Sequence, residues 1–315
     1  MLGQIPYSDN EEPRGTGYMA KRVIKDIFPK LESLHKYNWV LIPGGPLMQE
    51  SFELAKEHKT VVWIHVPAYR MPSEIDSFLE DEFVRENIVA FIVQSEFHKK
   101  DLMEFYFVEE SKIFIINNAF DHIEPQINNN DVVELIYTSQ HTRGLNILVD
   151  SLKHLKYKYN LKIHSCNCDG CKEDVLNIVG STRGIYLQSF TSKEQYIKNL
   201  QDADILAYPC TFQETAGIAI MEAISAGTHV VTTDLGALKE TTMGFATIIK
   251  GFSYSEEIQK ANHERYVKKT AKALNKAIKK IKSKKINLIK HSEEIRKRFS
   301  WENTEAQWVA LAERL

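Results

Sequence analysis

The chain has 315 residues, with 40 Lys and Arg against 42 Asp and Glu and a formal net charge of −2 at neutral pH. That length exceeds one usual hydrophobic core and predicts two domains, and a charge so near balance gives no global drive toward nucleic acid or a membrane. No apolar run approaches the roughly 20 residues that span a bilayer, and residues 1–12 lack a secretory pattern, so the expected compartment is cytoplasmic.

In chain order, Gly15, Thr16 and Gly17 form a small-residue turn expected to precede a helix. Short apolar runs then alternate with helix-period segments. The first four runs cover residues 39–42, 61–65, 89–93 and 113–116, and the polar stretch 124–131 follows as a linker. The pattern restarts with runs at 135–138, 161–165, 185–188, 204–208, 230–233 and 246–249. Such alternation predicts parallel sheets covered by helices, in two Rossmann-like domains joined near residue 130. There are no internal repeats or low-complexity tracts.

The second run ends in His65. A histidine on an apolar strand is ordinarily a satisfied core residue, whereas one at a strand's carboxyl end lies where α/β sheets collect ligands; both readings stand. Cys166, Cys168 and Cys171, with His164 nearby, offer four soft ligands in principle, but on one loop, where a structural zinc site staples separated segments; reduced thiols are the expectation. Residues 267–285 carry Val267, Ala271, Leu274, Ile278 and Ile281 at helical spacing with a lysine-rich outer face, which is a solvated surface or a peripheral contact with an anionic membrane. Ser300 is a candidate N-cap for a last helix bearing Trp301 and Trp308.

Most chemistry concentrates in residues 204–233. A buried strand closes at Pro209, a polar loop carries Glu214, and Thr215, Ala216, Gly217 and Ile218 lead into an apolar helix that Gly227 ends. The backbone N–H groups of Thr215 to Ile218 make an anion seat, and Gly217 lets a ligand approach the backbone. Glu222 lies along the same helix between apolar neighbours, either pairing on the helix or serving a ligand, since an unpaired buried acid is costly. The loop after the 135–138 run offers Ser139, Gln140, His141 and Arg143, and Arg143 is suited to bidentate contact with phosphate. Asp202-Ala203-Asp204 has a metal-binding spelling but sits where a helix enters a strand, and reads as structural.

These segments resemble the retaining glycosyltransferases of family 4. Glu214 and Glu222 match the family's E-x7-E element, Tyr208-Pro209-Cys210 its "YPS" lead-in, residues 222–231 its "EAMACGTPVV" and residues 233–240 its "SDVGGLPE". Arg143-Gly144 is similar to the family's "KG", while Thr138-Ser139 stands where "GR" is usual, so one of two customary phosphate cations is missing. His65-Val66-Pro67 looks like "HEP", residues 93–97 like "VPSEF", residues 116–121 like "IPNGVD", and residues 299–302 like the closing "FSWE".

The resemblance implies a GT-B fold of two Rossmann-like domains with an interdomain cleft. Residues 1–130 would be an abbreviated acceptor domain, residues 131–299 the donor domain, and helix 300–315 would cross back to the first. It further implies transfer of a sugar from a UDP- or GDP-type sugar nucleotide to a hydroxyl acceptor, whether glycan, lipid carrier, protein or small molecule, with no cofactor and no metal. Glu214 would bind donor-sugar hydroxyls, Glu222 the ribose, Arg143 the diphosphate, and His65 would face the donor sugar. Ser189 and Phe190 would meet the base, and Gly15, Thr16 and Gly17 would approach donor and acceptor. Two alternatives remain open: a noncatalytic sugar-nucleotide-binding partner subunit, and a nucleotide-sugar 2-epimerase of the same fold.

Overall fold

A computed structural model of the chain describes residues 16–34, 39–44, 49–71, 79–164, 171–188 and 192–315. The chain divides into two compact units, Met1–Ala119 with Phe299–Leu315, and Phe120–Arg298.

In the first unit, α1 (Thr16–Arg22) runs through a π turn, Val23–Ile27, into α2 (Phe28–Leu34). Strands β1 (Trp39–Gly44), β2 (Lys59–Ile64), β3 (Ile88–Val93) and β4 (Ile113–Ile115) alternate with α3 (Gln49–Glu57), α4 (Glu82–Asn87) and α5 (Glu96–Tyr106). The strands pair in parallel in the order β1-β2-β3-β4. Val61, Val62, Trp63 and Ile64 are all buried, as a parallel strand covered on both faces requires.

In the second unit the strands are β5 (Val133–Tyr137), β6 (Tyr159–Ile163), β7 (Ile185–Leu187), β8 (Ile205–Tyr208), β9 (His229–Thr233) and β10 (Thr247–Ile249). The helices are α6 (Leu145–Leu152), α7 (Cys171–Val179), α8 (Lys193–Asp202), α9 (Ile218–Ser225), α10 (Leu238–Thr241), α11 (Glu256–Ala261), α12 (His263–Lys282) and α13 (Leu288–Arg298). The sheet is parallel throughout, in the order β7-β6-β5-β8-β9-β10. Counted outward from β5, that is the doubly wound order, and direction reverses between β5 and β8. All ten apolar runs of the sequence are strands, and the α/β fold with two parallel sheets stands as expected.

Helix α14 (Trp301–Arg314) belongs to the first unit. Ser300 caps it by accepting from the Asn303 N–H. Trp308 is fully buried, its ring 5.2 Å from that of Trp63 and 5.5 Å from that of Phe28, both edge-on. Polar bonds fix its register: Thr304 Oγ1 donates to Asn117 O at 2.9 Å, and the Asn117 N–H donates to Gln307 Oε1 at 2.8 Å. Asn117 Nδ2 in turn donates to Gln94 O at 2.9 Å and Gln94 Nε2 to Ile64 O at 2.6 Å, which ties together the carboxyl ends of β4, β3 and β2.

Because Trp308 fills the centre of this core, Trp308→Ala should cost about 3–5 kcal/mol. Urea denaturation should show a lowered midpoint, and a variant that unfolds with the wild type would contradict the assignment of α14 to the core.

Candidate functional site

The site grows out of the reversal between β5 and β8, where two loops leave the sheet in opposite directions. After β5, the Tyr137 hydroxyl donates to Gln140 O at 2.6 Å and closes a tight turn. Gly144 then starts α6 at φ +97°, and a Cβ there would lie 2.2 Å from the Pro209 carbonyl oxygen. Only glycine lets the β5 loop touch the β8 loop in this way.

That contact sets Arg143 over the β8 loop. Its Nη1 donates to Glu214 Oε1 at 2.7 Å, and its guanidinium lies 4.1 Å from the Phe212 ring centre. The Tyr208 hydroxyl donates to the same Oε1 at 2.6 Å, and Ser139 Oγ donates to the Tyr208 oxygen at 3.2 Å. The main chain of Glu214 is held as firmly. It forms a parallel bridge with Gly236, and Glu214 O accepts from the Ala237 N–H at 2.7 Å. Gly236 sits at φ +62°, and a Cβ on it would come within 2.3 Å of Glu214 O.

These groups settle one another's charge. Burial alone would lower the Arg143 pKa, but Glu214 and Tyr208 outweigh it and raise the value, so the guanidinium stays charged. Burial first, then Cys210 and Glu214, push the Tyr208 phenol well above its ordinary range, leaving it a neutral donor. Burial and then Glu214 push the Cys210 thiol up to about 12, so it is no nucleophile.

Beyond Glu214, Thr215 and Ala216 are buried, and Ala216 O accepts from the Thr241 hydroxyl. Gly217, at φ +80°, starts α9 with Ile218. The first turn of α9 carries no acidic side chain, and its leading N–H groups have no intrahelical partner. This end of α9 is therefore positive and open to an anion. Glu222 follows Ile218 by four residues, hence on the same face about 6 Å along the axis. Tyr196 of α8 donates to Glu222 Oε2 at 3.0 Å. Burial raises the Glu222 pKa to about 7, against Tyr196 and Lys193 and with help from Asp121, and Lys193 pairs with Asp121.

His65 lies in the first unit, immediately after β2, with its ring 4.4 Å from that of Trp63. Burial, then the neighbouring His98, lowers its pKa to about 3, so its imidazole is neutral. Thr16 and Gly17 depart from the expected loop: they are the first turn of α1, because burial of Met19, Ala20, Val23 and Ile27 draws the winding forward. Gly15, Ser189, Phe190, Cys166 and Cys168 lie outside the described residues. Cys171 is disulfide-bonded, which corrects the expectation of a reduced thiol there. His164 faces Asn199, with Nε2 3.1 Å from Nδ2. Asp202 pairs with Lys198 at 2.8 Å and Asp204 accepts from the Glu134 N–H at 2.9 Å, so both acids brace the helix and strand they sit on.

Sequence reasoning singled out Glu214, Arg143 and Glu222 but missed their partners. Tyr208 and Asp121 figured only within motif matches, and Tyr196 and Lys193 carried no signal of their own. Their relevance follows from the strand order.

A parallel α/β unit that gathers a cation, a carboxylate and a helix amino terminus at its switch point is built to receive an anionic ligand. Residues 123–300, more than half of the chain, match the family described as glycosyl transferases group 1, and the chain belongs to that family. The fold is GT-B, like that of solved glycosyltransferases. The chain aligns over 98% of its length with 83% of a glycosyltransferase from Rickettsia africae ESF-5, at 15% identity and a TM-score of 0.67. It aligns over 91% with 59% of the pneumococcal O-GlcNAc transferase GtfA, crystallised with UDP and GlcNAc, at 15% identity and a TM-score of 0.63. It aligns over 86% with 80% of Anabaena Alr3699/HepE, crystallised with UDP and glucose, at 16% identity and a TM-score of 0.55. At these identities the likeness establishes the fold. No curated protein matches the chain.

The Glu222 environment makes stability depend on pH. Its folded pKa of about 7 lies above the ordinary 4.5, so its favourable contribution is complete below the ordinary value and is lost as pH rises through 7. Glu222→Gln, neutral throughout, should melt near the wild type at pH 5 and above it at pH 8. A melting-temperature gap that does not change between those pH values would contradict the burial of this carboxylate.

Proposed function

We propose that this glycosyltransferase is a retaining enzyme of family 4 that moves a sugar from a UDP- or GDP-type nucleotide to a hydroxyl acceptor, without a metal. One observation carries the reading. Arg143 and the amino end of α9 frame Glu214 at the same end of the sheet, so a cation and open N–H groups are available to one diphosphate.

In this reading the donor diphosphate sits at the Thr215–Ile218 turn and takes over Arg143 from Glu214. The exchange trades one anionic partner for another, so the guanidinium is never stripped of a countercharge. Ser139, where a second cation is customary, instead holds Tyr208, and the backbone N–H groups carry more of the phosphate charge. Tyr208 still anchors Glu214 after Arg143 turns away, which leaves carboxylate lone pairs for donor-sugar hydroxyls. Ionised Glu222 accepts from the two ribose hydroxyls. His65 offers a neutral hydrogen-bonding ring and no charge, and we assign it to the sugar. The base is assigned to Ser189 and Phe190, and the acceptor to the first unit, read as an abbreviated domain that includes Thr16 and Gly17.

Catalysis then rests on placement. The acceptor oxygen attacks the anomeric carbon on the face from which the diphosphate departs, the carbon–oxygen bond to phosphate breaks, and a departing phosphate oxygen takes the acceptor proton. No side chain has to act as acid or base. Positioning and charge stabilisation lower the barrier. GtfA and Alr3699/HepE, each crystallised with UDP and a sugar, support UDP-sugars as the first donors to test.

A thermal-shift screen over UDP and GDP sugars should single out one donor by the rise in melting temperature that mass action gives a ligand of the folded state. With that donor, Arg143→Ala, Glu214→Ala and Glu222→Ala should each fold and lose at least about tenfold in transfer, roughly 1.4 kcal/mol of transition-state stabilisation. Normal turnover in all three would overturn these roles. Donor binding with no transfer to any acceptor would favour the noncatalytic subunit, and inversion of a sugar centre with no acceptor present would favour the epimerase.

A further inference from the structure

One feature of the second unit is assigned no role in the proposed sugar transfer. Between Arg265 and Ser292 the chain holds eleven Lys and Arg and no Asp or Glu, within a protein whose formal net charge is −2. Most of this stretch is α12, His263–Lys282. At 100° per residue, Arg265, Lys268, Lys272, Lys276, Lys279 and Lys280 fall within an arc of about 120°, along a line of about 22 Å. The opposite face, with Val267, Leu274, Ala277 and Ile278, is buried. All six cations are exposed, and among the described residues none is ion-paired with an acid. A stripe of like charges at i, i+3 and i+4 repels itself along the helix. Glu264, four residues before Lys268 in the first turn, is the one acid on this helix, so an anionic surface outside the chain would relieve most of that cost.

The carboxyl end of the stripe is remote from the donor site, whereas its amino end follows α11, whose Gln259 Nε2 donates to Thr211 O in the β8 loop at 3.2 Å. At the carboxyl end Lys282 Nζ donates to the carbonyl oxygens of Asn130 and Asp131 at 3.2 and 3.3 Å, just ahead of β5. Arg143 follows the other end of β5, a five-residue strand that spans about 16 Å. The connection from α12 to α13 extends the cationic surface, and the first turn of α13 adds an apolar group. Lys284 turns the chain in a left-handed conformation at φ +53°. Ile289 is 42% exposed, with Lys285 and Lys290 exposed to either side.

We propose that the lysine face of α12, with the Lys284–Lys290 tip, docks on an anionic phospholipid bilayer. Lysines are point charges on long apolar stems, suited to a diffuse layer of lipid phosphates, and they suit bidentate recognition of one phosphate less well. An exposed isoleucine among them gains from a bilayer interface and gains nothing from a hydrated polyanion. Among the described residues no helix is long and apolar enough to cross a membrane, so the contact is peripheral.

Sedimentation of the full chain with vesicles tests this. Binding should be strong to phosphatidylcholine carrying about 30% phosphatidylglycerol and weak to phosphatidylcholine alone. It should fade at about 0.5 M NaCl, where the screening length is short. The quadruple variant Lys272→Gln, Lys276→Gln, Lys279→Gln, Lys280→Gln changes only exposed groups and should melt with the wild type. It should lose at least about 50-fold in partitioning, since each lysine near the surface is worth about fivefold. Ile289→Ser should weaken vesicle binding and leave retention on heparin unchanged. Equal binding to both vesicle types, or a quadruple variant that binds like the wild type, would overturn the proposal. Tight retention on heparin with no vesicle binding would overturn it too, in favour of a soluble polyanion.

Discussion

The Glu214 carboxylate is gripped by a guanidinium from the loop after β5 and a phenol from the end of β8, two strands that are neighbours because the sheet reverses its order there. The two loops around it are shaped to hold that grip. Gly144 brings the β5 loop onto the Pro209 carbonyl, and Gly236 brings the β9 loop onto the Glu214 main chain. A side chain at either glycine would push the cation or the acid away. Burial keeps Tyr208 and Cys210 protonated, so the ion pair is the main charge in its surroundings. A partly buried acid without such partners would be costly, and the pairing makes it tolerable.

The two glutamates of α9 and its leading loop occupy unlike environments. Glu214 has a charged partner and a neutral donor on one oxygen, whereas Glu222 has the Tyr196 hydroxyl and a pKa raised to about 7 by burial. One carboxylate is paired where it stands. Burial favours the neutral form of the other, and charging it costs the folded protein stability, the kind of local destabilisation that a ligand-binding group can carry. If ribose hydroxyls are its partners, as proposed, they supply the hydrogen bonds that the protein alone does not.

The strands were legible in the sequence because a parallel strand buried on both faces is a short unbroken apolar run, and residues 61–64 and 205–208 are such runs. Helix α9 was legible at both ends, from Gly217 before it and Gly227 after it, which adopt φ of +80° and +86°. The pairing of Arg143 with Glu214 was not, because 71 residues separate them and only strand order makes them neighbours. For the same reason Tyr196, 26 residues before Glu222, gave no warning of its contact. The start of α1 was misplaced because local glycine chemistry suggested a loop, whereas burial of Met19 and Ala20 decided for helix.

On the proposed reading, Arg143 is held for a diphosphate and kept by Glu214 until one arrives. A crystal structure of the protein with UDP tests it most directly. A diphosphate should lie at the amino end of α9, within hydrogen-bond reach of the Ile218 N–H and of an Arg143 that has left Glu214. A diphosphate bound elsewhere, with the 2.7 Å Arg143–Glu214 contact intact, would contradict it.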